Sequence, residues 1–141
     1  MTAKVTIDPA GLDAIRKQAG RLIYKIVQDV KSTILDLMRE PKSGRTYWKG
    51  KDRNIAHVAS APGEAPAIDH GLLWNSITGV MARPTTGVIA VGARHGLFLE
   101  LGTIRMERRP FIEPAMNQVL QKLDNAGIIS RFDRIRTSDG I

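Results

Sequence analysis

One acidic residue lies where a chain normally places apolar side chains. Glu100 stands inside the run Phe98-Leu99-Glu100-Leu101-Gly102-Thr103. A carboxyl group in apolar surroundings can serve as a general acid. Two structural roles compete with that chemistry: an ion pair with an arginine such as Arg105 or Arg109, and capping of nearby backbone N–H groups. We favour a structural role, because no second catalytic group accompanies Glu100 in the sequence.

The three histidines, His57, His70 and His95, lie in separate segments and lack the close spacing of metal ligands. No serine stands in a nucleophile-elbow pattern, although a Ser-His-Asp set can also assemble across a fold. No glycine-rich loop leads into Gly-Lys-Ser or Gly-Lys-Thr for phosphate binding. We therefore predict no catalytic residue, no cofactor and no metal. A small hydrolase or nuclease that uses Glu100 with a histidine is the least favoured hypothesis.

Basic and aromatic residues alternate near position 47. Arg45 and Lys49 flank Tyr47 and Trp48, as in a stacking platform with phosphate partners. The net charge of +7 also favours polyanions or an acidic protein face. No nucleic-acid recognition motif accompanies these residues. A nucleic-acid-binding module is thus one hypothesis, and a basic arm that pairs with an acidic partner is another.

Length and composition limit the classes of protein to which the chain can belong. A chain of 141 residues predicts one domain, residues 1–141, and 43% hydrophobic residues allow a modest core. The absence of cysteine excludes disulfides and thiolate metal sites. The first residues lack the apolar core of a signal peptide, and no apolar run approaches the roughly 20 residues that span a bilayer. We expect a soluble product made in the cytoplasm.

A long amphipathic helix is predicted at the N-terminal end. Asp8 can cap it, and Pro9 suits the first helical position. Apolar residues then recur every three or four positions from Leu12 to Met38, which is one helical face. Pro41 predicts that the helix ends near Glu40.

Residues 41–68 predict a projecting arm, because their proline and glycine content excludes a buried helix or a central strand. Within it, Arg45-Thr46-Tyr47-Trp48 is expected to pair with Ile55-Ala56-His57-Val58 as a short ribbon. An exposed ribbon of this kind could reach a neighbouring subunit.

Shorter elements follow the arm. The pattern predicts a helix over Asp69–Asn75 capped by Asp69, and two strands, Ser76–Arg83 and Gly87–Gly92, joined at Pro84-Thr85-Thr86. A short helix or turn is predicted over Leu97–Leu101. A final helix is predicted after Pro110 and ends at Gly127. Its apolar stripe comprises Met116, Val119, Leu120 and Leu123. Residues 130–141 are predicted to form a basic tail. The predicted fold is α+β, with the N-terminal and C-terminal helices packed on a small antiparallel sheet.

Two blocks of residues together resemble a known family. The first block runs from Ser43-Gly44-Arg45-Thr46-Tyr47 through Ala59-Ser60-Ala61-Pro62-Gly63-Glu64-Ala65-Pro66-Ala67 to Asp69-His70-Gly71-Leu72-Leu73-Trp74-Asn75-Ser76-Ile77. The second contains Leu99-Glu100-Leu101-Gly102-Thr103, then Met106, then Arg109-Pro110-Phe111-Ile112-Glu113-Pro114-Ala115. In order and spacing, the chain resembles the phage neck or tail-completion family, the gene-product-ten-like tail-component proteins.

This resemblance implies a structural virion protein without enzymatic activity, located in the neck or tail and assembled in the bacterial cytoplasm. Such proteins form a homo-oligomeric ring that joins the tail to the DNA-filled head. Expected partners are further copies of the chain and other neck or tail proteins, with genomic DNA passing through the ring and no membrane involved. We expect these residues at interfaces: Arg45, Tyr47, Trp48, Pro62, Gly63, Glu64, Glu100, Gly102, Thr103, Arg105, Arg108, Arg109 and Phe111.

Overall fold

A computed structural model describes residues 8–128, which form four helices and two antiparallel sheets of two strands each. The α+β fold class with a long N-terminal helix is confirmed. In chain order the elements are α1 (Pro9–Arg39), β1 (Thr46–Lys49), β2 (Ile55–Val58), α2 (Leu72–Ser76), β3 (Ile77–Arg83), β4 (Thr86–Val91), α3 (His95–Leu101) and α4 (Ile112–Asn125). The predicted basic tail, residues 130–141, lies outside the described residues.

Helix α1 begins and ends where its sequence predicts. The Asp8 carboxylate accepts hydrogen bonds from the backbone N–H groups of Ala10 and Gly11, each at 3.2 Å. The helix ends before Pro41. Its apolar stripe is buried only along the second half, whereas residues 8–18 are exposed. The buried apolar positions are Val27, Val30, Ile34 and Met38.

Helix α1 lies across the hairpin of β3 and β4. The two strands pair from Ile77 with Val91 to Arg83 with Thr86. Gly79 and Gly87 face the helix, and a Cβ atom at either position would lie within 2.8 Å of the Val27 side chain. Glycine at both positions therefore lets the helix approach the sheet closely.

Helix α4 packs along α1, and both contribute to one core. The predicted stripe on α4 was partly wrong, because Met116 and Leu120 are 45% and 47% exposed. The inward row is instead spaced by four residues, with Ala115 fully buried, Val119 3% exposed and Leu123 packed against the core. The buried core cluster is Val30, Ile34, Met38, Ala65, Leu73, Ile77, Phe111, Ala115 and Val119.

The start of α2 differs from the prediction. The helix begins at Leu72 after Gly71, and no side chain caps it. The assignment of Asp69 as the cap was wrong, because its carboxylate instead forms an ion pair with Lys49. In residues 8–128, no helix is long and apolar enough to cross a membrane.

The predicted ribbon is confirmed as the hairpin of β1 and β2, in which Thr46 pairs with Val58 and Lys49 with Ile55. Its base is closed by two backbone hydrogen bonds of 3.0 Å, from Gly44 N–H to the Ala59 carbonyl and from Ala59 N–H to the Arg45 carbonyl. Later residues of the predicted arm lie against the body: Ser60, Ala65 and Pro66 are buried. The part that stands clear of the core is the hairpin, residues 46–58.

Candidate interaction surface

The two sequence blocks meet in the folded chain. Residues 60–64 lie against residues 99–113, and we call this contact the junction. The Gly63 N–H donates to the Arg108 carbonyl at 2.8 Å. Arg109 donates from Nε to the Ser60 carbonyl at 3.1 Å and from its backbone N–H to the Leu99 carbonyl at 2.7 Å. The bonds from Gly63 and from the Arg109 side chain hold a segment of the first block on the second, whereas the Arg109–Leu99 bond lies within the second block.

Glu64 fixes the first side of the junction. Its carboxylate accepts hydrogen bonds from the Ser43 hydroxyl, from the Ser43 N–H at 3.1 Å and from the Ala61 N–H at 2.8 Å. The hydroxyl of Ser43, followed by the backbone groups of Ala61 and Ser43, lowers the pKa of Glu64 to about 2. The side chain thus ties the end of the α1–β1 connection to the turn at residues 61–64.

Glu100 caps helix α4. One carboxylate oxygen accepts from the N–H groups of Phe111 and Ile112, at 2.8 and 3.0 Å, and the other accepts from Glu113 N–H at 2.9 Å. A negative group is favourable at a helix N-terminus, where the first N–H groups lack partners within the helix. Of the two structural roles proposed from the sequence, the structure selects capping of backbone groups. The hydrogen-bond partners of this carboxylate within residues 8–128 are backbone groups, not a histidine.

The segment between α3 and α4 forms a tight turn. Gly102 adopts a φ of +78°, in the left-handed region that glycine tolerates. Thr103 N–H then donates to the Met106 carbonyl at 2.8 Å. Beside this turn is an open depression of about 680 Å³. It is lined by Pro62, Gly63, Leu101, Gly102, Thr103, Met106, Glu107, Arg108 and Pro110.

Large apolar side chains lie exposed on α3 and the following turn. Leu97, Phe98 and Leu101 are 61%, 53% and 65% exposed, and Ile104 is fully exposed. Arg105 follows them, and its guanidinium has no partner among residues 8–128. Leu97, Phe98 and Leu101 line one cavity of about 530 Å³, and grouped exposed apolar side chains on a small domain are typical of a protein interaction site.

Five of the predicted interface residues line the same depression: Pro62, Gly63, Gly102, Thr103 and Arg108. Four others have roles within the subunit. Glu64 and Glu100 hold backbone groups, and Arg109 holds the Ser60 carbonyl. Phe111 needs a correction, because its side chain is 0% exposed and has no surface to offer a neighbour.

The other predicted interface residues do not line that depression. Arg45, Tyr47 and Trp48 belong to the hairpin region, and the Arg45 guanidinium lies 5.4 Å from the Tyr47 ring centroid. Neighbouring strand residues point to opposite faces. Tyr47 lines a cavity against the body, whereas Trp48, 61% exposed, does not.

Sequence reasoning missed a polar cluster between the hairpin and the body. The Asp69 carboxylate contacts Lys49, lies 3.6 Å from His70 Nε2 and 4.0 Å from His57 Nδ1. The hydrogen bond from Lys49, more than the nearby histidines, lowers the pKa of Asp69. No spacing in the sequence signals this contact, because the hairpin fold brings the groups together.

The same region forms a cavity of about 410 Å³. All three histidines line it, together with Asp69 and Arg109. Within residues 8–128, no three His, Cys, Asp or Glu side chains are grouped so that they could hold a metal ion. The cavity therefore brings together titratable groups without forming a metal-ligand set among the described residues.

Comparison of the chain with family models, with curated proteins and with solved structures finds no match. A functional proposal for this chain therefore depends on its own residues and their arrangement.

Proposed function

We propose that this chain is a structural protein of a tailed bacteriophage, located where the head meets the tail, and that its copies form a ring there. One observation carries the proposal. The two blocks that resemble the tail-completion family fold into one junction, and five of the predicted interface residues line one open depression there. A motif used for assembly is expected to form a continuous surface.

The exposed apolar side chains support contact between copies. In a ring, one surface of each subunit contacts a different surface of the next subunit. Each subunit therefore needs two different surfaces that fit each other. Leu97, Phe98, Leu101 and Ile104 supply exposed apolar area, and Leu101 also lines the depression. A domain of this size has a small core, and burying such side chains against another copy adds stability.

The carboxylates of the junction support a structural role rather than a catalytic one. Glu64 and Glu100, one acidic residue from each block, each accept hydrogen bonds from three N–H or O–H donors. These bonds fix the shape of the surface that a neighbour would meet. Rigid presentation of a contact surface lowers the ordering cost of assembly.

Locating the chain in particles tests the proposal directly. An epitope tag is placed on the chain, and virions from cells that carry its gene are labelled with gold and imaged by negative stain. We expect label at a single point between head and tail. Finished particles that lack the chain, together with substrate turnover by the lone monomer, would overturn the proposal.

Charged substitutions on the exposed apolar side chains of α3 and the following turn test whether this surface joins copies or partners. Leu101→Asp with Ile104→Asp is expected to leave unjoined heads and tails, because both side chains are exposed and their removal spares the core. The matched control is Ile15→Asp, which charges an apolar side chain of α1 that is 65% exposed. Joining at the normal level in the double variant would show that this surface is not an interface.

A further inference from the structure

The hairpin carries cations that no other part of the described chain neutralises. Residues 50–54 form its tip, and all five are exposed. Lys51 and Arg53 have no side-chain partner among residues 8–128, and the Arg45 guanidinium contacts only the Tyr47 ring there. By contrast, Lys49 is paired with Asp69. Three positive charges are thus available on a projecting ribbon.

Exposed aromatic and apolar side chains accompany these charges. Tyr47 and Trp48 are 47% and 61% exposed, and Ile55 on the partner strand is 59% exposed. Asp52 is the sole acidic residue between positions 45 and 58. The hairpin therefore combines positive charge with flat side chains and does not contribute to the buried core.

We infer that this hairpin is a contact site for duplex nucleic acid. The major groove of a duplex admits a two-stranded β-ribbon, and phosphates line its walls. An extended strand rises about 3.3 Å per residue, so the stretch from Arg45 to Lys49 spans about 13 Å of the ribbon, and Lys51 lies in the tip beyond it. That span covers several phosphates of one strand, since each strand of a duplex carries a charge about every 3.4 Å of its axis.

Lys51 and Arg53 are exposed and lack side-chain partners among residues 8–128, which favours nucleic acid over an acidic protein surface as the partner. Ion pairs across a protein interface need fixed partners, and long exposed side chains lose entropy when they are held in one geometry. A phosphate backbone presents equivalent charges at each step, so unanchored Lys51 and Arg53 can bind it in many arrangements. Trp48, which does not line the cavity against the body, adds a surface on which a base or sugar can pack.

This inference does not depend on a role in a virion. It concerns the hairpin of the free chain, whereas the proposed function depends on the junction and the apolar side chains of α3. The two proposals therefore fail independently.

Salt-dependent binding tests the hairpin site. The full chain is titrated onto a fluorescent 30-base-pair duplex of arbitrary sequence between 50 and 200 mM salt. Each phosphate contact contributes about 0.9 to the slope of log affinity against log salt. The triple variant Arg45→Ala, Lys51→Ala, Arg53→Ala is expected to lower that slope by about 2 to 3 and to weaken binding at 50 mM at least tenfold.

A matched triple variant separates local contact from overall charge. Arg21→Ala, Lys25→Ala, Arg83→Ala removes the same charge from exposed positions on α1 and β3. Its slope is expected to stay within about 1 of the unmodified chain. Circular dichroism and urea unfolding of both variants check that each is folded. Trp48→Ser is expected to weaken duplex binding without changing the slope.

Three results would overturn the inference. The first is an equal loss of slope in both triple variants, which would indicate a diffuse charge effect. The second is the absence of duplex binding at 50 mM salt, which would leave the cations to an acidic protein partner. The third is tighter binding to a single strand of the same length, which would exclude placement of the ribbon in a groove.

Discussion

The junction and the hairpin use polar residues in opposite ways. At the junction, Glu64 and Glu100 are each bound by three donors, and Phe111 fills the core beneath them. In the hairpin, Lys51 and Arg53 have no side-chain partner among the described residues, and Trp48 is mostly exposed. The hairpin is joined to the body at its base and through Asp69.

The junction carboxylates fix the backbone beneath a surface, whereas the exposed hairpin side chains are themselves the surface that a partner would contact. Removal of a junction carboxylate leaves several N–H donors without a partner, which costs free energy of folding. Removal of an exposed hairpin side chain leaves no such defect. Effects on stability should therefore be concentrated at the junction, and effects on binding alone should be found in the hairpin.

The largest effect on stability is expected from Phe111→Ala. The ring is fully buried in the core cluster, which includes residues of α1, α2, β3 and α4, and its loss leaves a cavity. We expect the free energy of unfolding to fall by about 3 to 5 kcal/mol, measured by urea denaturation. Phe98→Ala is the matched control, because that ring is 53% exposed. A similar loss in both variants would contradict the burial of Phe111.

Glu100→Ala is expected to cost less, about 1 to 3 kcal/mol, because three N–H groups at the start of α4 lose their acceptor. Glu107→Ala serves as the control, since this exposed carboxylate lies in the segment between α3 and α4. Urea denaturation measures both. Amide hydrogen exchange of residues 111–113 should accelerate in Glu100→Ala and not in the control; unchanged exchange would exclude the capping role.

Glu64 predicts a dependence of stability on pH. Its pKa is about 2 in the folded chain against an ordinary value of 4.5, so the unfolded chain binds the proton more readily. The stabilisation is complete above pH 4.5 and is lost as the pH falls towards 2. Glu64→Gln should flatten the unfolding free energy across this range. An unchanged pH profile in the variant would show that other carboxylates account for acid sensitivity.

The smallest effect on stability is expected in the hairpin. Trp48→Ser should change the free energy of unfolding by no more than about 0.5 kcal/mol, because the side chain is exposed. The contrast is Trp74→Ser, since Trp74 packs against the core and lies 4.6 Å from the Arg39 guanidinium. Thermal unfolding of the two variants should rank Trp74→Ser as clearly less stable, and the reverse order would contradict the comparison.

Local features of the sequence were sufficient to predict most of the helices and strands. Asp8, Pro9 and Pro41 mark the ends of α1, and the two hairpins follow from short apolar runs around turns. These predictions succeeded because capping and strand alternation involve residues close in the chain. The cap at Asp69 failed because a distant lysine competes for that carboxylate.

The sequence by itself determined the α+β class, the long capped helix and the basic hairpin, since each depends on neighbours within a few residues. Tertiary structure alone decided that Glu100 caps α4, that Phe111 is core, and that residues 60–64 join residues 99–113. The physical reason is that a carboxylate or ring has several possible partners along a chain. Only the closed fold brings one of those partners within bonding distance and shields the site from water.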